Sequence, residues 1–240
     1  MVTGPDKRFM TRAEAEAASI DVGLRQYMLQ VYNYMASGVA LTGIVAYIVA
    51  ATPALTNAIF GNPIMPWVVM LAPIGLAIYF GARIQNMSFS TAQMIFWIFA
   101  GMMGLSLATV FLVYTGESIA RVFFITAGTF GAMSLYGYTT KTDLTKFGSF
   151  LMMGLIGIII ASVVNIFVGS TALQFAISVI GVLVFVGLTA YDTQKIKEMY
   201  WEDDDSETHG KKAIMGALNL YLDFINLFVM LLQLFGARRD

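Results

Sequence analysis

The sequence predicts an all-α integral membrane protein, a seven-transmembrane-helix bundle with helix seven at its centre. Three observations carry that prediction. Of the 240 residues, 58% are apolar and only 12% charged, against about 45–50% and about 25% in ordinary soluble domains. Seven apolar stretches, each close to the ~20 residues that a spanning helix needs, cover more than half of the chain. The last stretch carries a polar stripe, which an inner helix would turn away from lipid.

Residues 1–28 are polar and mixed in charge (Asp6, Lys7, Arg8, Arg12, Glu14, Glu16, Asp21, Arg25) and lack the pattern of a cleavable signal. They read as a cytoplasmic tail, and residues 29–240 as the seven-helix domain. Span one is 29–51. Residues 52–65, TPALTNAIFGNPIM, form an uncharged turn region. Span two is 66–82, where Pro73 in APIG kinks a helix or marks a break. Spans three and four are 91–113 and 122–138, followed by the polar turn TTKTDLTKFG. Spans five, six and seven are 149–168, 173–191 and 213–235, with the acidic loop WEDDDSETHG before the last. Backbone groups cannot stay unpaired in lipid, so the spans are expected to be helices.

Lys and Arg orient the bundle. Lys7, Arg8, Arg12, Arg25, Arg83, Lys141, Lys146, Lys195, Lys197, Lys211 and Lys212 fall on one side; Arg121, Arg238 and Arg239 fall on the other. Positive residues stay inside, which puts the N-terminus in the cytoplasm and the C-terminus across the membrane. There is no cysteine, so disulfides, thiolate metal sites and cysteine catalysis are excluded. A net charge of −1 without a basic stripe gives no reason to expect a nucleic-acid partner. No internal repeat is visible. Small residues at close spacing (Gly101 and Gly104, Gly128 and Ala132, Gly154 and Gly157, Gly181 and Gly187) read as helix-packing positions.

The chemistry concentrates in span seven, ALNLYLDFINLFVMLLQLF. A carboxylate at the centre of a membrane helix costs about 2.5–3.5 kcal/mol on insertion scales. Asp223 stands there, on one helical face with Asn219, Asn226 and Gln233. Such a face belongs toward the bundle interior or a water-filled path.

Span six ends GVLVFVGLTAYDTQKIKEMYW and supplies Asp192. If its helix continues through QKIKEMY, Asp192 and Asp223 lie at similar depth on antiparallel helices, roughly 13–17 Å in from the joining loop. Two carboxylates in contact away from water cannot both ionise cheaply, and a single proton can be shared between them. Deprotonation would drive them apart, making the pair a pH-sensitive latch. As calcium ligands they are too few for a storage site, which takes 6–8 oxygens; weak, transient coordination suits permeation better.

Arg83, in YFGARIQNMS, reads either as an interfacial arginine or as a counter-charge to the aspartates. Asp203, Asp204 and Asp205 read as a solvated loop, and the lone His209 cannot build a metal site by itself. Tyr27, Tyr32, Trp67, Trp97 and Trp201 read as interface anchors, and Glu117 with Arg121 as a surface pair.

GLTAYDTQKIKEMY (187–200) and LYLDFINLF (220–228) resemble the hallmark segments of the transmembrane Bax inhibitor motif family, and FGAMSLYGYTTKTDL (130–144) is similar to its bacterial inner-membrane members. The resemblance runs over all seven spans. It implies two layers of three helices around the last, and a pH-sensitive calcium leak. The latch it implies is an aspartate pair, here Asp192 and Asp223, assisted by an arginine of helix two, here Arg83. It also implies the cytoplasmic (inner) membrane of a bacterium, no cofactor, and calcium or protons as the species conducted. Spans one and two lack any acidic residue, so a family role for a carboxylate there is absent.

Two other functions compete with the leak. One is a membrane adaptor that binds and modulates a membrane-bound quality-control protease, with the polar tail as its handle. The other is an intramembrane aspartyl protease, which the sequence opposes. LYLDF puts bulky residues where such enzymes carry Gly-x-Gly-Asp, and the Pro-Ala-Leu run at Pro53–Leu55 lies in the first loop. No enzymatic activity is expected.

Overall fold

A computed structural model describes residues 12–239, with side chains from Val22 onward. Expectations that rest on residues 1–11, including the tail charges Asp6, Lys7 and Arg8, lie outside the described residues, as do those that rest on the side chains of 12–21. The helices are α1 (Arg12–Ala51), α2 (Pro53–Phe60), α3 (Met65–Arg83), α4 (Phe89–Val113), α5 (Gly116–Thr139), α6 (Thr145–Val168), α7 (Thr171–Glu198) and α8 (Ser206–Phe235), with a short 3-10 turn at Ile84–Asn86. All except α2 are long and apolar enough to cross a membrane, giving seven spans.

The helices begin where side chains satisfy their first amides. Ser88, Thr115, Ser170 and Asp205 accept from Thr91, Ser118, Leu173 and Thr208 respectively, each three residues on. Pro53 and Pro66 occupy first-turn positions of α2 and α3, where a missing N–H costs nothing. Gly169 closes α6 in the left-handed conformation, φ 65°, which glycine adopts freely. The helices outrun the apolar stretches because charged and polar residues at their ends remain helical. α1 is continuous across residue 28, and α7 continues seven residues past the apolar run, to Glu198.

Pro73 lies inside α3 without ending it. The turn region 52–65 contains α2, which hydropathy did not reveal; Thr56 Oγ1 donates to Val49 O at 2.8 Å and ties α2 back onto α1.

Burial sorts the spans into inner and outer. Two-thirds (67%) of α8's most apolar window is buried, against 11% for α3 and α6. α8 packs against α1, α4, α5 and α7, while α3 leans on α4 and α6 on α7. Lipid is as apolar as leucine, so close packing and interhelical hydrogen bonds hold these helices together. Gly104 admits Val45 and the Thr42 carbonyl, Gly181 admits Met230, and Gly187 admits Leu151. Gly101, Gly128 and Gly157 face no neighbour. Gly137 lies against the Ala190 backbone, Gly148 against the Tyr191 ring and Gly23 against the Tyr200 hydroxyl, each too close for a side chain.

Two expectations at the surface are corrected. Tyr27 is 1% exposed, with His209 edge-on at 5.0 Å between ring centroids and Tyr200 tilted at 5.6 Å, so it belongs to the core and not to the lipid interface. Glu117 and Arg121 form no salt bridge. Arg121 Nη2 instead donates to Phe235 O at 3.5 Å, where the last carbonyls of α8 present partial negative charge.

Candidate functional site

The site lies on the α7–α8 interface. Ser178 Oγ donates to Gln233 Oε1 at 2.8 Å, Gly181 faces Met230, and Gly216 faces Ile196. That antiparallel register sets Asp192 level with Asn219 and Leu220, so Asp223 stands about one helical turn farther along. Side chains tilt toward the N-terminus of their own helix. Because the helices are antiparallel, Asp192 and Asp223 lean toward each other and close the gap. Their carboxyl groups approach closely enough to interact, and two carboxyl groups held together away from water favour a shared proton.

The residues around each aspartate are fastened elsewhere, and this aims the pair. In AYDTQ, the Tyr191 ring fills the space at Gly148. Thr193 Oγ1 donates to Thr189 O at 2.7 Å and meets Ser134 Oγ at 2.9 Å, and Ser134 in turn meets Tyr32 Oη at 2.6 Å. Gln194 accepts from Leu144 N at 2.8 Å and donates to Thr142 O at 2.9 Å, pinning the loop between α5 and α6. In YLDFIN, Tyr221 meets Thr42 Oγ1 at 2.6 Å. Phe224 stacks edge-on with Phe130 and Phe123, and Asn226 Nδ2 donates back to Leu222 O at 2.8 Å. Within these two segments the aspartates face each other across the interface.

Asp223 is 4% exposed, and its Oδ2 has no hydrogen-bond partner among the described residues. An unsatisfied buried acceptor costs about 1–3 kcal/mol, and more when charged. Neither aspartate joins a salt bridge among the described residues. Arg83 is exposed on the last turn of α3 and joins none of the salt bridges among the described residues. The structure therefore brings together Asp192 and Asp223 but does not bring Arg83 to them. Asn219 and Asn226 are half-buried on neighbouring turns of α8. No cluster of three acidic or histidine side chains that could hold a metal ion occurs among the described residues. Asp204, expected in solvent, pairs with Lys212, and Asp205 caps α8.

Sequence reasoning missed four of the hydroxyl groups that fix the site, Thr42, Ser134, Thr193 and Tyr221, and read the fifth, Tyr32, as an interface anchor. Each is an ordinary residue in an apolar helix, and only its partner across the bundle gives it a role.

A family model described as "Inhibitor of apoptosis-promoting Bax1" matches residues 24–240, which takes in every span and both aspartates. The chain belongs to the Bax inhibitor-1 family. This Bax inhibitor-1 family chain is 50% identical over 219 residues to inner membrane protein YbhL of Escherichia coli K12, covering 90% of this chain and 94% of that protein. Protein RP147 of Rickettsia prowazekii is 51% identical over 222 residues, covering 92% and 94%. A Caulobacter vibrioides protein is 46% identical over 237 residues, covering 95% of each. Family and fold together establish a multi-pass membrane protein whose Escherichia coli relative sits in the inner membrane.

Proposed function

We propose that this protein is a pH-sensitive cation leak, with calcium as the conducted ion and the Asp192–Asp223 pair as its gate. The observation that carries this reading is the close approach of two carboxyl groups in a buried interface, with no salt bridge to either among the described residues. With one proton shared, the pair is a hydrogen bond between α7 and α8. Without it, two negative charges face each other in a medium of low dielectric, and the interface separates. Rising pH therefore opens the path, and the separated carboxylates supply oxygen ligands for a passing cation. The N-terminus lies in the cytoplasm in this reading, supported by the distribution of Lys and Arg.

The test is calcium influx into liposomes holding the purified protein, compared across pH with Asp192→Asn and Asp223→Asn. Absence of flux from folded protein would favour an adaptor for a membrane-bound protease, with the aspartates as bundle architecture.

A further inference from the structure

A second feature is independent of the aspartate pair. α1 packs on α4 and α8, and α5 on α7 and α8, which leaves a cleft between α1 and α5. Its upper part, about 840 Å³, is floored by Phe224, Ile225 and Phe228 of α8 and flanked by Tyr47 and Phe124. Its lower part, about 490 Å³, runs between Met28 and Leu29 on one side and Leu135 and Tyr138 on the other. Phe130 borders both parts. From Arg25 to Tyr47 the cleft extends ~33 Å along α1, the thickness of the hydrocarbon core of a bilayer, ~30 Å.

Exposed apolar side chains such as Leu29, Ile44, Phe124 and Leu135 carry the cleft into the lipid-facing surface. The bilayer therefore supplies its occupant directly. The lower mouth is basic. Arg25 lines it, is exposed, and joins no salt bridge among the described residues. Lys197 donates to Tyr138 O at 2.9 Å on the opposite wall.

We infer that the α1–α5 cleft is a phospholipid site. The phosphate of a lipid from the leaflet at the start of α1 rests on the Arg25 guanidinium, a planar donor suited to phosphate oxygens. One acyl chain runs up the cleft. Half of the hydrocarbon core, ~15 Å, corresponds to about ten residues of helix rise, so the chain extends from Arg25 to the level of Phe130. There it lies beside Phe224, the neighbour of Asp223.

Gly131 lines the lower cleft, and a Cβ added there meets no protein atom within 4 Å. Gly131→Leu therefore starts into open space and is the variant expected to occupy the lipid's place. Gly157 on α6 is equally open but far from the cleft, and Gly157→Leu serves as the control.

The experiment is intact-protein mass spectrometry of the full chain, purified in detergent with added phosphatidylglycerol, with folding of each variant checked by circular dichroism. Wild type and Gly157→Leu are expected to retain the lipid. Arg25→Gln is expected to lower retention about tenfold, the scale of one charge-assisted hydrogen bond, and Gly131→Leu to lower it at least as much. The proposal is overturned if wild type retains no phosphatidylglycerol, if Gly131→Leu and Arg25→Gln retain as much as wild type, or if Gly157→Leu loses as much as they do.

Discussion

Tyr221 of α8 donates its hydroxyl proton to Thr42 of α1, at 2.6 Å and two residues from Asp223. The direction follows from Thr42, whose own proton goes to the Ala100 or Gly38 carbonyl at 2.8 and 2.9 Å. One buried threonine thus joins α1, α4 and α8 beside the aspartate. The two possible deletions are unequal. Tyr221→Phe leaves Thr42 satisfied and is expected to cost about 0.5–1.5 kcal/mol, toward the lower end because interhelical bonds in bilayers average ~0.6. Thr42→Val leaves the tyrosine hydroxyl buried without a partner and is expected to cost about 1–3 kcal/mol. Unfolding titrations in sodium dodecyl sulfate would rank them; a larger loss for Tyr221→Phe would contradict this arrangement.

Gly137 holds α5 against the backbone of α7 at Ala190, two residues before Asp192. A methyl group there meets a carbonyl that cannot rotate aside. Gly137→Ala is expected to destabilise by about 1–3 kcal/mol, whereas Gly157→Ala, in open space, is expected to be neutral or slightly stabilising. Thermal midpoints of the two variants in one detergent are the check.

The arginine of span two stands apart from the pair. Because Arg83 is exposed at the end of α3 and joins no salt bridge among the described residues, Arg83→Gln is expected to leave the pH dependence of flux unchanged. A displaced pH profile in that variant would mean that the arginine reaches the aspartates in another conformation.

Asp205 gives a pH dependence outside the membrane. Thr208 donates to its carboxylate through both hydroxyl and backbone N–H, the latter at 2.7 Å, and holds its pKa below the usual range. A depressed carboxylate stabilises fully at and above its ordinary pKa, and that contribution is lost as pH falls through the lowered value. Protection of the Thr208 amide against hydrogen exchange, corrected for intrinsic rates, is therefore expected to fall on acidification below about pH 4. Asp205→Asn keeps an acceptor that does not titrate in this range, so its protection should stay level.

Asp223 was legible in the sequence because a carboxylate among leucines is rare and costly, and Asp192 was legible from its segment AYDTQ at the end of span six. Their meeting was only partly legible. Hydropathy ends span six at residue 191 and leaves Asp192 at an interface, whereas contact depends on α7 continuing to Glu198 and on Ile196 seating against Gly216. Glycine spacing did not distinguish Gly137, which carries a helix contact, from Gly157, which faces open space. Tyr27 shows the same limit, since an aromatic near a span end suits a lipid interface and a protein core equally well. α2 escaped notice because its eight residues bury none of their side chains and lack the length of a span.

The central claim is that a proton shared by Asp192 and Asp223 holds the path closed. The decisive measurement is calcium influx into liposomes followed from about pH 6 to about pH 8, because two carboxyl groups in contact can share a proton and lose it as pH rises. Flux through the wild type should rise with pH, and Asp192→Asn and Asp223→Asn should each abolish that rise, since an amide opposite a carboxylate cannot build the repulsion. An unchanged rise in both variants, from protein verified as folded, would contradict the account.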